Sequence, residues 1–245
     1  MLHYYRRGTG DPLLLLHGFL STNRVFDKII PELEKKYDII APDLPGHGKS
    51  LYNGEETIDE YKDAIIELLH SLNIKKATWA GHSMGGYITM AAVEKAPSFV
   101  KRAAFLYSSP AADTEKDKEQ RDQNIQLIQN QGLQVFINQK IPDYFSFDAD
   151  PQAMKEAFHH AKQATKEGVI AAIQAMKNRK EQVTVVNEAP LPLLFIEGNK
   201  DLVEQPFPVS SRWVEKAKTE SSHMGMLENP EDFLKKLTRW LVATY

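Results

Sequence analysis

The strongest constraint on what this chain can fold into is a rhythm in its first 110 residues. Short runs that are almost wholly apolar, Leu13 to Leu16, Tyr37 to Ala41, Ala77 to Ala80 and Ala103 to Tyr107, alternate with stretches whose apolar residues recur at helical spacing. A strand buried on both faces has no reason to alternate, so continuous apolar runs separated by helices predict a parallel sheet built from β-α-β units. Val25, Phe26, Ile29, Ile30 and Leu33 give the first helical stripe. Thr57-Ile58-Asp59-Glu60 is a capping box, and it opens a helix whose inner stripe is Tyr61, Ile65, Leu68, Leu69 and Leu72. A third helix is expected from Met84 until Pro97 stops it.

The pattern changes at Pro110. Residues 111–189 contain no clear strand, but helical stripes recur at Met154, Ala157, Phe158 and Ala161 and again at Val169, Ala172, Ile173 and Met176. The mixed charges of Asp113 to Asp122 read as a solvated helix face. Strand character returns at Leu191 to Ile196 and, more weakly, at Val214 to Lys218, before an amphipathic helix carrying Phe233, Leu234, Leu237, Trp240 and Leu241. The expected organisation is one α/β core, residues 1–110 and 190–245, interrupted by a helical cap of residues 111–189, an insertion long enough to form a lid.

Composition removes several function classes. Thirty Lys and Arg against 33 Asp and Glu give a net charge of −3, which argues against nucleic acid as a partner and offers no steering toward a membrane surface. With no cysteine, thiolate zinc sites, iron-sulfur clusters and a cysteine nucleophile are excluded. No His-Glu-x-x-His or similar spacing occurs, so no metal and no cofactor is expected. The first ten residues carry no apolar signal core and no apolar run reaches spanning length, giving the expectation of a cytoplasmic protein. Nothing specifies an oligomeric state.

The chemistry concentrates in Gly81-His82-Ser83-Met84-Gly85-Gly86, placed between a strand and a helix. A serine on a tight strand-to-helix turn needs glycine on both sides, and there it lies at the positive end of a helix dipole. Nucleotide-binding alternatives fail on spacing. Gly48-Lys49-Ser50 lacks the glycine a phosphate loop requires at position 43, which is Asp43, and Ser83 occupies the middle glycine of a dinucleotide fingerprint. Partners for Ser83 should follow as acid and then histidine. Asp201, after the Leu191 strand, and His223, before the last helix, meet that order; Asp113 and Glu197 are the competing acids, and Glu228 reads as a first-turn helix carboxylate. For the oxyanion, Met84 N–H and Phe19 N–H are the candidate donors, the latter from the loop His17-Gly18-Phe19-Leu20. His17, His47 and His82 are assigned to structure. His159-His160 is read as exposed helix, with pocket lining as the alternative.

These segments, His17-Gly18-Phe19, Asp43-Leu44-Pro45-Gly46-His47-Gly48-Lys49-Ser50, Gly81 to Gly86, Gly198 to Asp201 and Ser222-His223-Met224, occur in an order and over an extent that resemble the α/β-hydrolase superfamily. The resemblance implies a mostly parallel eight-stranded sheet with a helical cap after the strand ending near Tyr107. The N-terminus leaves room for one strand, around Leu2 to Arg6, so the family's first antiparallel strand is expected to be absent. Ser83 at the elbow separates the chain from the dehalogenases and capped epoxide hydrolases, which carry aspartate there. The chain is similar to small carboxylesterases, enol-lactone hydrolases and carbon-carbon bond hydrolases, and also to the menaquinone-pathway synthase that eliminates pyruvate. Members of that last group usually carry arginine after the Gly-Gly pair, where this chain has Tyr87.

The resulting expectation is a cofactor-free serine hydrolase with the triad Ser83, Asp201 and His223, acting on a small-molecule ester, thioester or lactone. Leu20, Phe136, Tyr144, Phe145 and Phe158 are the candidate pocket residues, with Phe147 a further cap aromatic. The alternatives are a lyase or carbon-carbon hydrolase using the same triad as a base, or a small-molecule receptor on the same fold.

Overall fold

The computed structural model describes residues 1–203 and 207–244. Seven strands, β1 (Tyr4–Arg7), β2 (Asp11–Leu16), β3 (Tyr37–Pro42), β4 (Ala77–His82), β5 (Val100–Leu106), β6 (Leu193–Gly198) and β7 (Val214–Thr219), form one sheet in the order β1-β3-β2-β4-β5-β6-β7. All neighbours pair in parallel except β1, which runs antiparallel to β3 at the edge. Only one strand precedes β2, so the sheet has seven described strands where the resemblance implied eight. Leu13 to Leu16, Ala103 to Leu106 and Leu193 to Ile196 are wholly buried, as strands covered on both faces must be.

Among the described residues ten α-helices accompany the sheet: α1 (Ile30–Leu33), α2 (Ile58–Ser71), α3 (Met84–Lys95), α4 (Glu115–Gln131), α5 (Leu133–Lys140), α6 (Pro151–Ala161), α7 (Lys166–Lys177), α8 (Val183–Glu188), α9 (Gly225–Glu228) and α10 (Pro230–Leu241). The Thr57 capping box forms at α2, where the Glu60 N–H donates to Thr57 Oγ1 at 3.2 Å and the Thr57 N–H to Glu60 Oε2 at 2.9 Å. The single stripe from Val25 to Leu33 does not give one helix. It breaks into a 3-10 turn at Asn23–Phe26 and the short α1, because Pro31 lacks the N–H that a continuous helix would need and its ring opposes the preceding turn.

Helices α4 to α8 all lie between β5 and β6 in the chain. The chain reverses its direction of travel across the sheet between β3 and β4, so the loops after β2 and β4 open beside one another. The register pairs Leu16 with Gly81. At such a switch point the carboxyl ends of parallel strands leave a crevice, and that is where ligands bind in open α/β sheets. No described helix is long and apolar enough to cross a membrane.

Candidate active site

Ser83 stands directly after β4 with φ 49° and ψ −113°, outside the wells that a residue with a Cβ ordinarily occupies. What holds it there is close packing. A Cβ on Gly85 would lie 2.5 Å from the Leu16 carbonyl oxygen and 2.7 Å from that of His17, and a Cβ on Gly81 would meet the Gly85 carbonyl. Glycine at both positions therefore lets the elbow and the β2 loop touch backbone to backbone. The Ser83 N–H donates to Leu106 O at 2.9 Å, and Ser83 O accepts from the Gly86 N–H at 2.8 Å and from Ser108 Oγ at 2.9 Å. Among the described residues neither the Phe19 nor the Met84 backbone N–H has an acceptor, and Phe19 lines the same cavity as Ser83.

Asp201 follows β6 by three residues and His223 follows β7 by four. The two loops are stitched together by Asn199 N–H to Thr219 O and Lys200 N–H to Ser221 O, both at 3.0 Å. His223 Nδ1–H donates to Asp201 Oδ2 at 2.8 Å, with both side chains almost fully buried. That bond puts the ring proton on Nδ1 and leaves Nε2 as the nitrogen with a free lone pair. Nε2 is buried and has no hydrogen-bond partner among the described residues. Ser83 and His223 line the same cavity of about 180 Å³. The other candidate acids are occupied elsewhere: Glu197 bonds Lys216 at 2.8 Å, and Asp113 bonds Arg121 and Arg179.

Glu228 has a role that its helix position did not suggest. It closes α9, and its carboxylate accepts the Ser222 N–H at 3.1 Å and the Met224 N–H at 3.0 Å, bracketing His223 from both sides. Burial raises its pKa above the ordinary carboxyl value, against the lowering by these N–H bonds. The segment between α5 and α6 grips the same loop. The His223 N–H donates to Tyr144 O at 3.1 Å, the Ser146 N–H donates to Ser222 Oγ at 2.7 Å, and the Tyr144 and His223 rings lie 5.2 Å apart.

The three histidines assigned to structure are braces. His17 Nδ1–H donates to Gly18 O at 2.8 Å while Nε2 accepts the Leu44 N–H at 2.9 Å. His82 Nε2–H donates to His223 O at 2.9 Å. Burial drives both pKa values down to about 3, with neighbouring histidines adding to the effect. His47 donates to Pro45 O and is likewise held neutral by burial. His160 is neither exposed nor in the cavity: it is buried against Thr22 Oγ1 at 2.9 Å.

Of the aromatic and apolar pocket candidates, Tyr144 lines the cavity and the others do not. Leu20 is buried beneath the β2 loop, Phe136 packs behind Phe19 with ring centroids 6.1 Å apart, and Phe145 is buried outside the cavity. Phe158 and the fully exposed Phe147 lie together on an outer groove. Leu20, Phe136 and Phe145 thus fill core, whereas Phe147 and Phe158 face the outside of the molecule. The cavity wall instead combines Phe19, Tyr87, Tyr107 and Met176 with a polar side, and the reading of Asp113 to Asp122 as a solvated face holds for the exposed Glu115, Lys116 and Glu119 but fails on that side. Asp113 is buried, and Asp117, Gln120, Arg121 and Asn124 line the cavity. Their three- and four-residue spacing puts them on one face of α4, a polar stripe that the sequence displays. No group of three or more His, Cys, Asp or Glu suited to a metal occurs among the described residues.

A family model described as the alpha/beta hydrolase fold matches residues 11–182. The chain is 37% identical over 105 residues to an (E)-2-((N-methylformamido)methylene)succinate hydrolase of Acinetobacter baylyi, a match covering 42% of this chain and 40% of that protein. It is 25% identical to a pimeloyl-[acyl-carrier protein] methyl ester esterase of Vibrio vulnificus over 96% of both chains. Among solved structures, a thermophilic esterase from Thermogutta terrifontis superposes with a TM-score of 0.91 at 24% identity, covering 98% of this chain and 92% of that one. The enol-lactonase from Burkholderia xenovorans gives 0.88 at 18%, covering 99% and 96%.

Proposed function

The chain belongs to the alpha/beta hydrolase family, and on that premise we propose that it is a serine hydrolase cleaving a small carboxylic ester, thioester or lactone through an acyl-serine intermediate. One observation carries the reading. A serine held at φ 49° shares a cavity with a histidine whose Nδ1–H is tied to a buried carboxylate and whose Nε2 is free to accept a proton.

In this reading His223 Nε2 takes the Ser83 hydroxyl proton as Oγ attacks the carbonyl carbon, and Asp201 stabilises the imidazolium that results. The Phe19 and Met84 N–H groups hold the tetrahedral oxyanion, worth about 10²–10³ in rate per donor. The imidazolium then protonates the leaving oxygen or sulfur as the tetrahedral intermediate collapses to acyl-Ser83. Water, deprotonated by the same nitrogen, hydrolyses the acyl-enzyme. Helices α4 to α8 act as a cap over the site, residues 111–189 inserted in a core of 1–110 and 190–245.

Fluorophosphonate labelling and p-nitrophenyl ester turnover test the reading. Ser83→Ala should abolish labelling and lower turnover by about 10⁴–10⁶. Ester turnover by Ser83→Ala at the wild-type rate, with no contaminating esterase, refutes it. A trapped acyl adduct on Ser83 separates the hydrolase from a lyase that uses the triad only as a base.

A further inference from the structure

The cavity that holds Ser83 is walled on the far side by charge. Arg121 on α4 and Arg179, just after α7, converge on one carboxylate, Asp113: Arg121 Nε–H donates to Oδ2 at 2.9 Å and Arg179 Nη1–H to Oδ1. All three side chains are largely buried, with exposures of 20% for Arg121, 7% for Arg179 and 4% for Asp113. Removing a guanidinium from water costs several kcal/mol unless it is paired, and one carboxylate balances one of the two. Elsewhere on the wall, Asp117 accepts from Thr114 N–H and Oγ1, and Lys140 is paired with Asp143 at 3.2 Å.

The donors are unevenly used. Arg179 is spent: it also donates to Met176 O at 3.0 Å and Ala111 O at 2.7 Å, and its face lies 4.1 Å from the Tyr87 ring centre. Arg121 is not. Its Nη1 meets only the weak acceptor Met176 Sδ at 3.7 Å, and its Nη2 has no acceptor among the described residues. A guanidinium fixed at Nε with an open Nη pair matches a carboxylate in two-point contact. We propose that Arg121, set in place by Asp113 and backed by Arg179, determines specificity by binding a free carboxylate on the substrate, so that the preferred ester, thioester or lactone is an anion such as the half-ester of a short dicarboxylic acid. The inference rests on the serine-hydrolase reading and deepens it.

The test compares monomethyl with dimethyl glutarate and adipate on the intact protein. Wild type should show a kcat/KM for the half-esters at least tenfold above that for the diesters. Arg121→Gln should lower that ratio by about tenfold to a hundredfold, the range of a charge-assisted hydrogen bond, chiefly through KM. Asp113→Asn, which removes the internal counter-charge, should raise it; a purely structural ion cluster would not. Should either variant fold poorly, the wild-type protein supplies a second reading: glutarate should protect Ser83 from fluorophosphonate labelling and glutaramide should not. Equal turnover of half-esters and diesters, or no protection by glutarate while Ser83 still labels, overturns the anionic specificity and leaves the serine hydrolase standing. Absence of labelling together with ester turnover unaffected by Ser83→Ala overturns the hydrolase reading itself and the inference with it.

Discussion

Four histidines are held neutral by burial, and three of them, His17, His82 and His160, should make the protein acid-sensitive by an amount that can be worked out. Burial lowers the pKa of His17 and His82 to about 3 and of His160 to about 4, below the ordinary 6.5 that each regains on unfolding. Between those values the unfolded chain binds protons that the folded protein refuses, so stability is full above pH 6.5 and falls as the pH drops through the window. At pH 5, which is 1.5 pH units below the unfolded value, keeping one ring neutral costs about 2 kcal/mol, and three rings cost about 6 kcal/mol. That is comparable with the whole stability of an ordinary domain, about 5–15 kcal/mol. Glu228, whose carboxyl is raised by burial, works in the opposite direction and softens the loss. Guanidinium unfolding followed by tryptophan fluorescence at pH 7.5 and pH 5.0 measures the difference, and His160→Gln should reduce it by about 2 kcal/mol, because that ring lies outside the cavity and burial is the main cause of its lowered pKa. Unfolding free energies that agree within about 1 kcal/mol at the two pH values would refute the reasoning.

Glu228→Gln should lower kcat by about tenfold to a hundredfold while leaving KM nearly unchanged, since the carboxylate fixes the backbone on both sides of His223 and touches no cavity surface; steady-state kinetics on one ester decide it, and a change confined to KM would count against the positioning role. Gly85→Ala should cost about 2–3 kcal/mol in denaturant unfolding, because the new methyl would be driven into the Leu16 and His17 carbonyls; a variant as stable as wild type would show that the β2 loop yields freely.

What could be read from the sequence was what is decided locally. The elbow is legible because the glycines around Ser83 answer a demand made within a few residues, and the Thr57 capping box because its two bonds close within one turn. Asp201 is legible as the acid that trails the apolar strand β6, and His223 as the histidine that follows it in the required order before the last helix. The charge of Asp113 is written in the sequence, but its environment is set by Arg179, 66 residues away, and a mixed charge run looks the same whether it faces water or a cavity. The aromatics of the helical segment fail for a related reason. Aromatic character favours burial of Phe136 and Phe145 and says nothing of whether they meet a substrate or the rest of the core. Glu228 is in the first turn of a helix, as its position suggests, but the N–H groups it serves come from a loop whose course no local pattern specifies.

The division of labour in the site follows from where its parts are attached. Ser83 and Asp201 hang from the carboxyl ends of β4 and β6, each hydrogen-bonded on both sides, and His223 from the edge strand β7, held by β6 and by the bonds between the two loops. Arg121 and Arg179 are carried instead by helical segments between β5 and β6, where a change of side chain or a shift of a helix leaves the sheet undisturbed. Reaction chemistry and substrate choice can therefore vary separately, except at one joint. The Tyr144 carbonyl and the Ser146 N–H hydrogen-bond directly into the His223 loop, so a helical segment that swung away as a free lid would take two of that loop's restraints with it. Ser83 is already partly exposed through the cavity, whose wall is formed by α4 and by Met176 and Arg179, so adjustments of access fall on that side and not on the Tyr144 side.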